Sequence, residues 1–333
     1  TGNVIQHLED NNLEVVRDPV TDWLLYVNKI SVRNCKRDAA LSLKALDVPR
    51  AWGAARQLGR SMLKSRYMAH VADKIAEPFH EILGPVKKRG GPAGMILKDG
   101  YVLASWGETR RVDMTFSVTK SFLSTVAGLA RDAGLLRSAQ DPVSDYIWDG
   151  TFQGAHNSKI RWSHLLQQNS DWSGNLWGLE DWADRPPAEG GIDQWKNRAL
   201  REPGTVMEYN DVRVNVLAYS LTHLWREPLP AVLKRKIMDP IGASSTWRWF
   251  GYDHAWTVID GYRMKSVTGG GHSGGGIFIS AEDMARFGLL FLNNGNWDGE
   301  QLLSEDWIRD ATTPSKPNPN YVYMWWLNQP GDR

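Results

Sequence analysis

A serine and a lysine three residues apart open an apolar-patterned stretch at Phe116-Ser117-Val118-Thr119-Lys120-Ser121-Phe122. If a helix begins at or just before Ser117, the two side chains share one face about one turn apart, and the Lys120 amine can reach the Ser117 hydroxyl. That pairing could do nucleophilic chemistry. A serine hydroxyl alone is a poor nucleophile, and a lysine made neutral by burial can activate it. The amide N–H groups and positive dipole end of a helix start would also favour negative charge on a bound carbonyl oxygen. The plainer alternative is that Ser117 caps the helix while Lys120 reaches solvent.

The surroundings of Ser117 favour the chemical reading. Upstream lies a hairpin-like stretch, Ala93 to Ala104, turning at Asp99-Gly100. Downstream, Phe122, Val126, Leu129 and Ala133 keep helical spacing until Gly134 offers a stop. A second Ser-x-x-Lys, Ser61-Met62-Leu63-Lys64, has basic and polar neighbours and reads as surface helix. A second constellation is Glu208-Tyr209-Asn210-Asp211, after the turn pair Pro203-Gly204. Asn210 or Asp211 can cap a helix whose buried face is Val212, Val216, Tyr219 and Leu224, which puts Tyr209 at a helix entrance. There it could exchange protons with a neighbouring group or simply fill the core. An earlier Tyr26-Val27-Asn28 is a decoy of the same type.

The whole chain bounds these readings. Its 333 residues exceed one ordinary core and imply two lobes. Hydrophobic residues at 42% can build that core, and a net charge of +1 gives no electrostatic case for nucleic acid or an acidic membrane. Seventeen Trp against eight Phe points to aromatic core filling or to an apolar cleft, with Trp172 and Trp177 in a polar-aromatic loop as candidate substrate-binding residues. The single Cys35 excludes an internal disulfide and a cysteine metal site. No apolar run is long enough for a membrane span. No signal peptide opens the sequence, but its first residue is Thr1, which leaves the compartment open between cytoplasm and, with a leader removed, periplasm.

With these residues in order, the sequence resembles the penicillin-recognising serine hydrolases. That group includes class C β-lactamases, D-amino-acid peptidases, β-lactamase-like esterases and 6-aminohexanoate-dimer hydrolases. Ser117 to Lys120 matches its Ser-x-x-Lys element, and Tyr209-Asn210-Asp211 its Tyr-x-Asn element. Trp162 to Trp172 and Gly274 to Gly288 match two further segments, and the likeness covers roughly residues 93–333. The resemblance implies an acyl-enzyme on Ser117 activated by Lys120, with Tyr209 moving protons and the Ser117 N–H as one oxyanion donor. It implies no metal or cofactor, and a small ester, amide or peptide substrate. Asp211, by that resemblance a candidate substrate-binding residue, stands where the family has asparagine and lacks its amide donors, so an esterase or small amidase is expected ahead of a β-lactamase, with a D-amino-acid peptidase still open. A non-catalytic binding or sensor protein on the same scaffold is the alternative.

The implied fold is α+β, an antiparallel sheet flanked by helices with a mostly helical lobe inserted. Residues 1–90 form an N-terminal extension with helices around Met62 to Ile75. Residues 91–134 and 261–333 form the sheet-containing lobe, and 135–260 the helical one. The sheet would combine the 93–104 hairpin with late strands, among them Tyr321 to Asn328, which carries Trp325-Trp326. The family's third element, Lys-Thr-Gly or His-x-Gly, lies on the strand after that one. His272-Ser273-Gly274 reads instead as a glycine-rich turn leading to a helix capped by Ser280-x-x-Asp283. The expectation is a chain incomplete as a catalytic unit, its last strands supplied by a second polypeptide or lying outside this sequence, because an open sheet edge should be covered.

Overall fold

The computed structural model describes the strand residues 23–27 and 30–34, and residues 82–184, 191–271 and 273–327. Ser61 to Lys64, the helix expected at Met62 to Ile75, Cys35 and His272 lie outside the described residues. Within the N-terminal stretch, Trp23–Val27 pairs antiparallel with Ile30–Asn34. Tyr26 therefore belongs to a strand and not to a helix entrance.

The architecture is α+β, a mixture of helices and small antiparallel sheets. The hairpin forms where expected, Gly94–Lys98 against Tyr101–Trp106. Asp99 and Gly100 both take positive φ, 50° and 80°, the two-residue turn that matches the twist of the flanking strands. Among the described residues the late strands do not join this hairpin in one hydrogen-bonded sheet. Gly276–Ile279 is instead the centre of a three-stranded sheet, between Asp113–Met114 and Arg248–Phe250. It is buried along its whole length, as a central strand with covered faces should be. Arg248–Phe250 thus belongs to the sheet although it falls within the range assigned to the helical lobe.

The helix after Ser117 runs Thr119–Asp132 and is buried on nearly every side, so it is a core helix. Phe122, Val126 and Leu129 are in that core, whereas Ala133 is exposed beyond the helix end. Two other helices pack against it. Asp211–Trp225 begins at Asn210, whose side chain accepts from the Arg213 N–H at 3.0 Å. Ala281–Leu292 begins at Ser280, whose hydroxyl accepts from the Asp283 N–H. Asp283 does not complete the capping box, because its carboxylate takes the Ser244 N–H and hydroxyl. Phe122 stacks on Phe287 at 4.0 Å, tying the two helices together.

The stretch expected as one strand at Tyr321 to Asn328 is a tight hairpin, Tyr321–Val322 against Trp325–Trp326. Tyr323 and Met324 turn it with positive φ, 41° and 69°. Neither residue favours that conformation, so tertiary contacts must hold it. The Met324 N–H donates to the Leu166 carbonyl at 2.9 Å, and the turn is buried.

One position tests how tightly this core is filled. A Cβ on Gly128, in the Thr119–Asp132 helix, would stand 2.4 Å from a ring carbon of fully buried Trp307. Gly128→Ala is expected to cost about 1–3 kcal/mol by overpacking, read as a lower urea midpoint with an unchanged slope.

Candidate active site

The approach to Ser117 is fixed by one strand residue. The Thr115 N–H and hydroxyl both donate to the Ile277 carbonyl at 2.9 Å, and the Ile277 N–H donates to the Thr119 hydroxyl at 2.9 Å. Two threonines thus clamp both ends of the Phe116–Val118 3₁₀ turn to the central strand. Between them Phe116 sits at φ +51°, an uncommon conformation for a bulky residue. Such conformations persist where surrounding contacts over-determine them, and they cluster at functional sites.

Ser117 lies in this turn, and the Thr119 helix follows directly. Side chains on a helix lean toward its N-terminus, and the Lys120 Nζ accordingly reaches back to within 3.2 Å of Ser117 Oγ. Lys120 is 1% exposed. The solvent-facing alternative for it is thereby excluded. Burying an ammonium requires a partner, and Asp211 supplies one, its Oδ1 2.5 Å from Nζ. The face of the Tyr209 ring lies 4.7 Å from the same nitrogen.

Asp211 is expected to bind substrate, but the residue is 3% exposed and its carboxylate faces Lys120. Three features hold it. It stands in the first turn of its helix, where the dipole favours negative charge. Its N–H donates to Asp184 at 2.5 Å, so two carboxylates lie in one buried region. Gly270 then leaves it room, since a Cβ there would stand 2.8 Å from each of the three carboxylate atoms.

Asn210 is committed to the scaffold. Besides capping the helix, it donates from its N–H to Gln168 Oε1 at 2.7 Å and from its amide to the Asp181 carbonyl at 2.8 Å. The Glu208 N–H donates to the Gln168 carbonyl at 2.8 Å. Gln168, from the segment that resembles the family's Leu-Leu element, therefore holds the backbone on both sides of Tyr209. Its amide also donates to the Tyr321 hydroxyl at 2.6 Å. The Tyr209 ring meets Tyr321 edge to face at 5.8 Å and stacks on Trp326 at 6.0 Å. Trp326 is 56% exposed and forms an aromatic wall beside Tyr209.

The two tryptophans expected above the cleft behave otherwise. Trp172 is 2% exposed, and its indole N–H donates to the Thr151 carbonyl at 2.9 Å. It is a core residue and not an open wall. Trp177 is half-buried and meets Tyr219 and Tyr252 edge-on at 6.2 and 6.4 Å. The glycine-rich turn expected at His272-Ser273-Gly274 approaches the site through its described neighbours. A Cβ on Gly271 would lie 3.3 Å from Phe116 Cα, and the Ser273 carbonyl accepts from the Leu83 and Gly84 N–H groups. Among the described residues no cluster of side chains could hold a metal ion, and no helix is long and apolar enough to cross a membrane.

The family model for beta-lactamase matches residues 87–333. The chain belongs to the beta-lactamase family. That membership puts it among the hydrolases. It is 23% identical over 284 residues to the 6-aminohexanoate-dimer hydrolase of Paenarthrobacter ureafaciens, covering 76% of this chain and 68% of that protein. In fold it is similar to the solved putative 6-aminohexanoate-dimer hydrolase from Bacillus anthracis, with TM-score 0.50 and 18% identity. The match covers 68% of this chain, and the chain spans 63% of that structure's length.

Sequence reasoning missed the ion cluster that supports this beta-lactamase-family site. Arg213, in the first turn of the Asp211 helix, is buried and pairs with Asp171 at 2.8 Å and Glu208 at 2.7 Å. Its Nε donates to the Trp172 carbonyl at 3.0 Å. Arg198 and the Arg201 N–H complete the shell of Asp171. A charged residue between Val212 and Val214 on a buried helix was the available signal. Burial alone would push the Asp171 carboxyl up, but the Arg198 hydrogen bond, the Arg213 charge and the Arg201 N–H outweigh it and hold it well below the ordinary 3.8. A depressed carboxyl contributes stability above that ordinary value and loses it as pH falls below. Asp171→Asn, which leaves Arg213 short of a charge partner, is expected to cost about 3–5 kcal/mol and to flatten the acid limb of stability below about pH 4. Urea unfolding of both proteins across pH checks this.

Proposed function

We propose that this chain is a serine hydrolase that cleaves an ester or amide through an acyl-enzyme on Ser117. The observation that carries the reading is the 3.2 Å approach of a buried Lys120 Nζ to Ser117 Oγ. Nucleophile and proton acceptor within hydrogen-bond reach, with the acceptor oriented by a third group, form the arrangement nucleophilic catalysis requires. Ser117 Oγ attacks the substrate carbonyl, Lys120 takes its proton, and the Ser117 N–H near the helix start is one oxyanion donor. Tyr209, against Lys120, returns the proton to the leaving group. Trp326 gives the substrate an apolar surface beside that tyrosine.

The acid at Asp211 bears on substrate class. It offers no amide N–H, and its carboxylate is spent on Lys120. Both features speak for an ester or a small amide over a β-lactam. The relative named 6-aminohexanoate-dimer hydrolase fits an amide of this kind.

A second reading, a binding or sensor protein on the same scaffold, is favoured by the same ion pair. An opposite charge this close favours the protonated amine, which cannot accept a proton. Exposure to a fluorophosphonate followed by peptide mass spectrometry separates the two readings. Wild type should carry one adduct on the Ser117 peptide. Ser117→Ala should carry none, and Lys120→Ala should label about 10²- to 10⁴-fold more slowly. Folded wild-type protein without an adduct would leave the binding protein as the better account.

A further inference from the structure

We infer that the base in this site is the Lys120–Asp211 pair and not Lys120 alone, with Asp211 receiving, through Lys120, the proton that Ser117 gives up. This rests on the serine hydrolase reading above and assigns Asp211 a part that a neutral amide at that position could not play.

The geometry is a continuous line of polar atoms. Ser117 Oγ is 3.2 Å from Lys120 Nζ, and Nζ is 2.5 Å from Asp211 Oδ1. Lys120 and Asp211 are both almost fully buried. A lone buried lysine could act by shedding its proton to water before the reaction. Here the carboxylate stabilises the ammonium and opposes that route. The same carboxylate offers the proton another destination at hydrogen-bond distance.

Protons balance along this line. As Ser117 Oγ forms its bond to the carbonyl carbon, its proton passes to Nζ, and Nζ passes one of its own to Asp211 Oδ1. The oxyanion forms while the pair goes from ammonium and carboxylate to ammonium and carboxylic acid. When the carbonyl re-forms and the leaving group departs, the proton returns from Oδ1 through Nζ and, by way of Tyr209, to that group. The relay begins and ends with the pair as the structure holds it.

The neighbours of Asp211 suit the task. Lys120 faces it from the Thr119 helix, and Asp184 accepts its N–H. The Tyr209 ring covers Lys120. The Tyr252 hydroxyl is held protonated, its pKa raised by burial first and by the Asp211 charge second, so it does not compete as an acceptor. On the same helix Arg213 is engaged by Asp171 and Glu208. Gly270 supplies the space that lets the carboxylate face Lys120.

The test is the rate of Ser117 labelling by a fluorophosphonate as a function of pH, in wild type and in Asp211→Asn. In that reaction the Oγ–P bond forms, the P–F bond breaks, fluoride leaves and the proton is finally lost to solvent. The relay predicts a wild-type rate that falls in acid, as Asp211 takes up a proton beforehand, and is level from about pH 6 to about pH 9. Asp211→Asn should label about 10²-fold more slowly at neutral pH, with a rate climbing toward alkaline pH as Lys120 must shed its proton to water. A folded Asp211→Asn protein with the wild-type rate and profile would overturn the inference. Should that variant not fold, the wild-type profile decides alone, since a rate climbing about tenfold per pH unit through the neutral range would mean that Asp211 is not the acceptor. Wild type that never labels refutes the nucleophile itself, a different outcome from a labelled serine with the wrong profile.

Discussion

The buried ion pair of Lys120 and Asp211 is the constraint to which the rest of the site answers. Two charges removed from water are costly unless their geometry is good and their remaining polar groups are satisfied. Lys120 comes from a core helix, and Asp211 from the first turn of another helix far along the chain. Their meeting at 2.5 Å fixes the relation of these helices at one point. The contacts to the pair from Ser117, the Tyr209 ring and Asp184, and the space at Gly270, either hold that point or use it.

Around the pair stand two scaffolds of different physical kind. The nucleophile side is built from backbone hydrogen bonds, with Thr115 and Thr119 gripping the same residue of a strand buried on both faces. Short neutral bonds of this sort are directional and insensitive to pH. The tyrosine side is built on charge, with Arg213, Asp171 and Glu208 beneath and Gln168 holding the backbone. The first scaffold sets where the hydroxyl points, and the second sets where the aromatic wall of Tyr209 and Trp326 stands relative to it.

Much of this was legible in the sequence where a local rule carried it. Helical spacing put Lys120 over Ser117, the Asp99-Gly100 pair made the hairpin, and Ser280 capped its helix. The family resemblance carried the α+β architecture. What local rules could not reach were the facts set by partners distant in sequence. The direction of Asp211 depends on a lysine and a glycine on other elements. Arg213 is a buried charge that only its acidic neighbours Asp171, Glu208 and Asp181 make tolerable. Trp172 has the same composition signal whether it lines a cleft or fills a core, and an available carbonyl on Thr151 is what decides. The Trp-Trp segment was read as one strand because Tyr323-Met324 lacks the glycine or asparagine that usually announces a turn.

The glycine run at 269–276 has a bearing on how such a protein could be altered. Successive glycines there press on different walls, Gly269 on Val214 and Leu123, Gly270 on the Asp211 carboxylate, Gly271 on Phe116, Gly274 on Gly84 and Gly276 on the Thr119 hydroxyl. The loop is therefore a mould whose lack of side chains is what the surrounding elements are cast against. An engineer seeking new specificity would find little freedom there, because a side chain at any of those positions displaces a different supporting group. Diversity would be better introduced at the exposed rim around Trp326, where a change of shape leaves the mould intact.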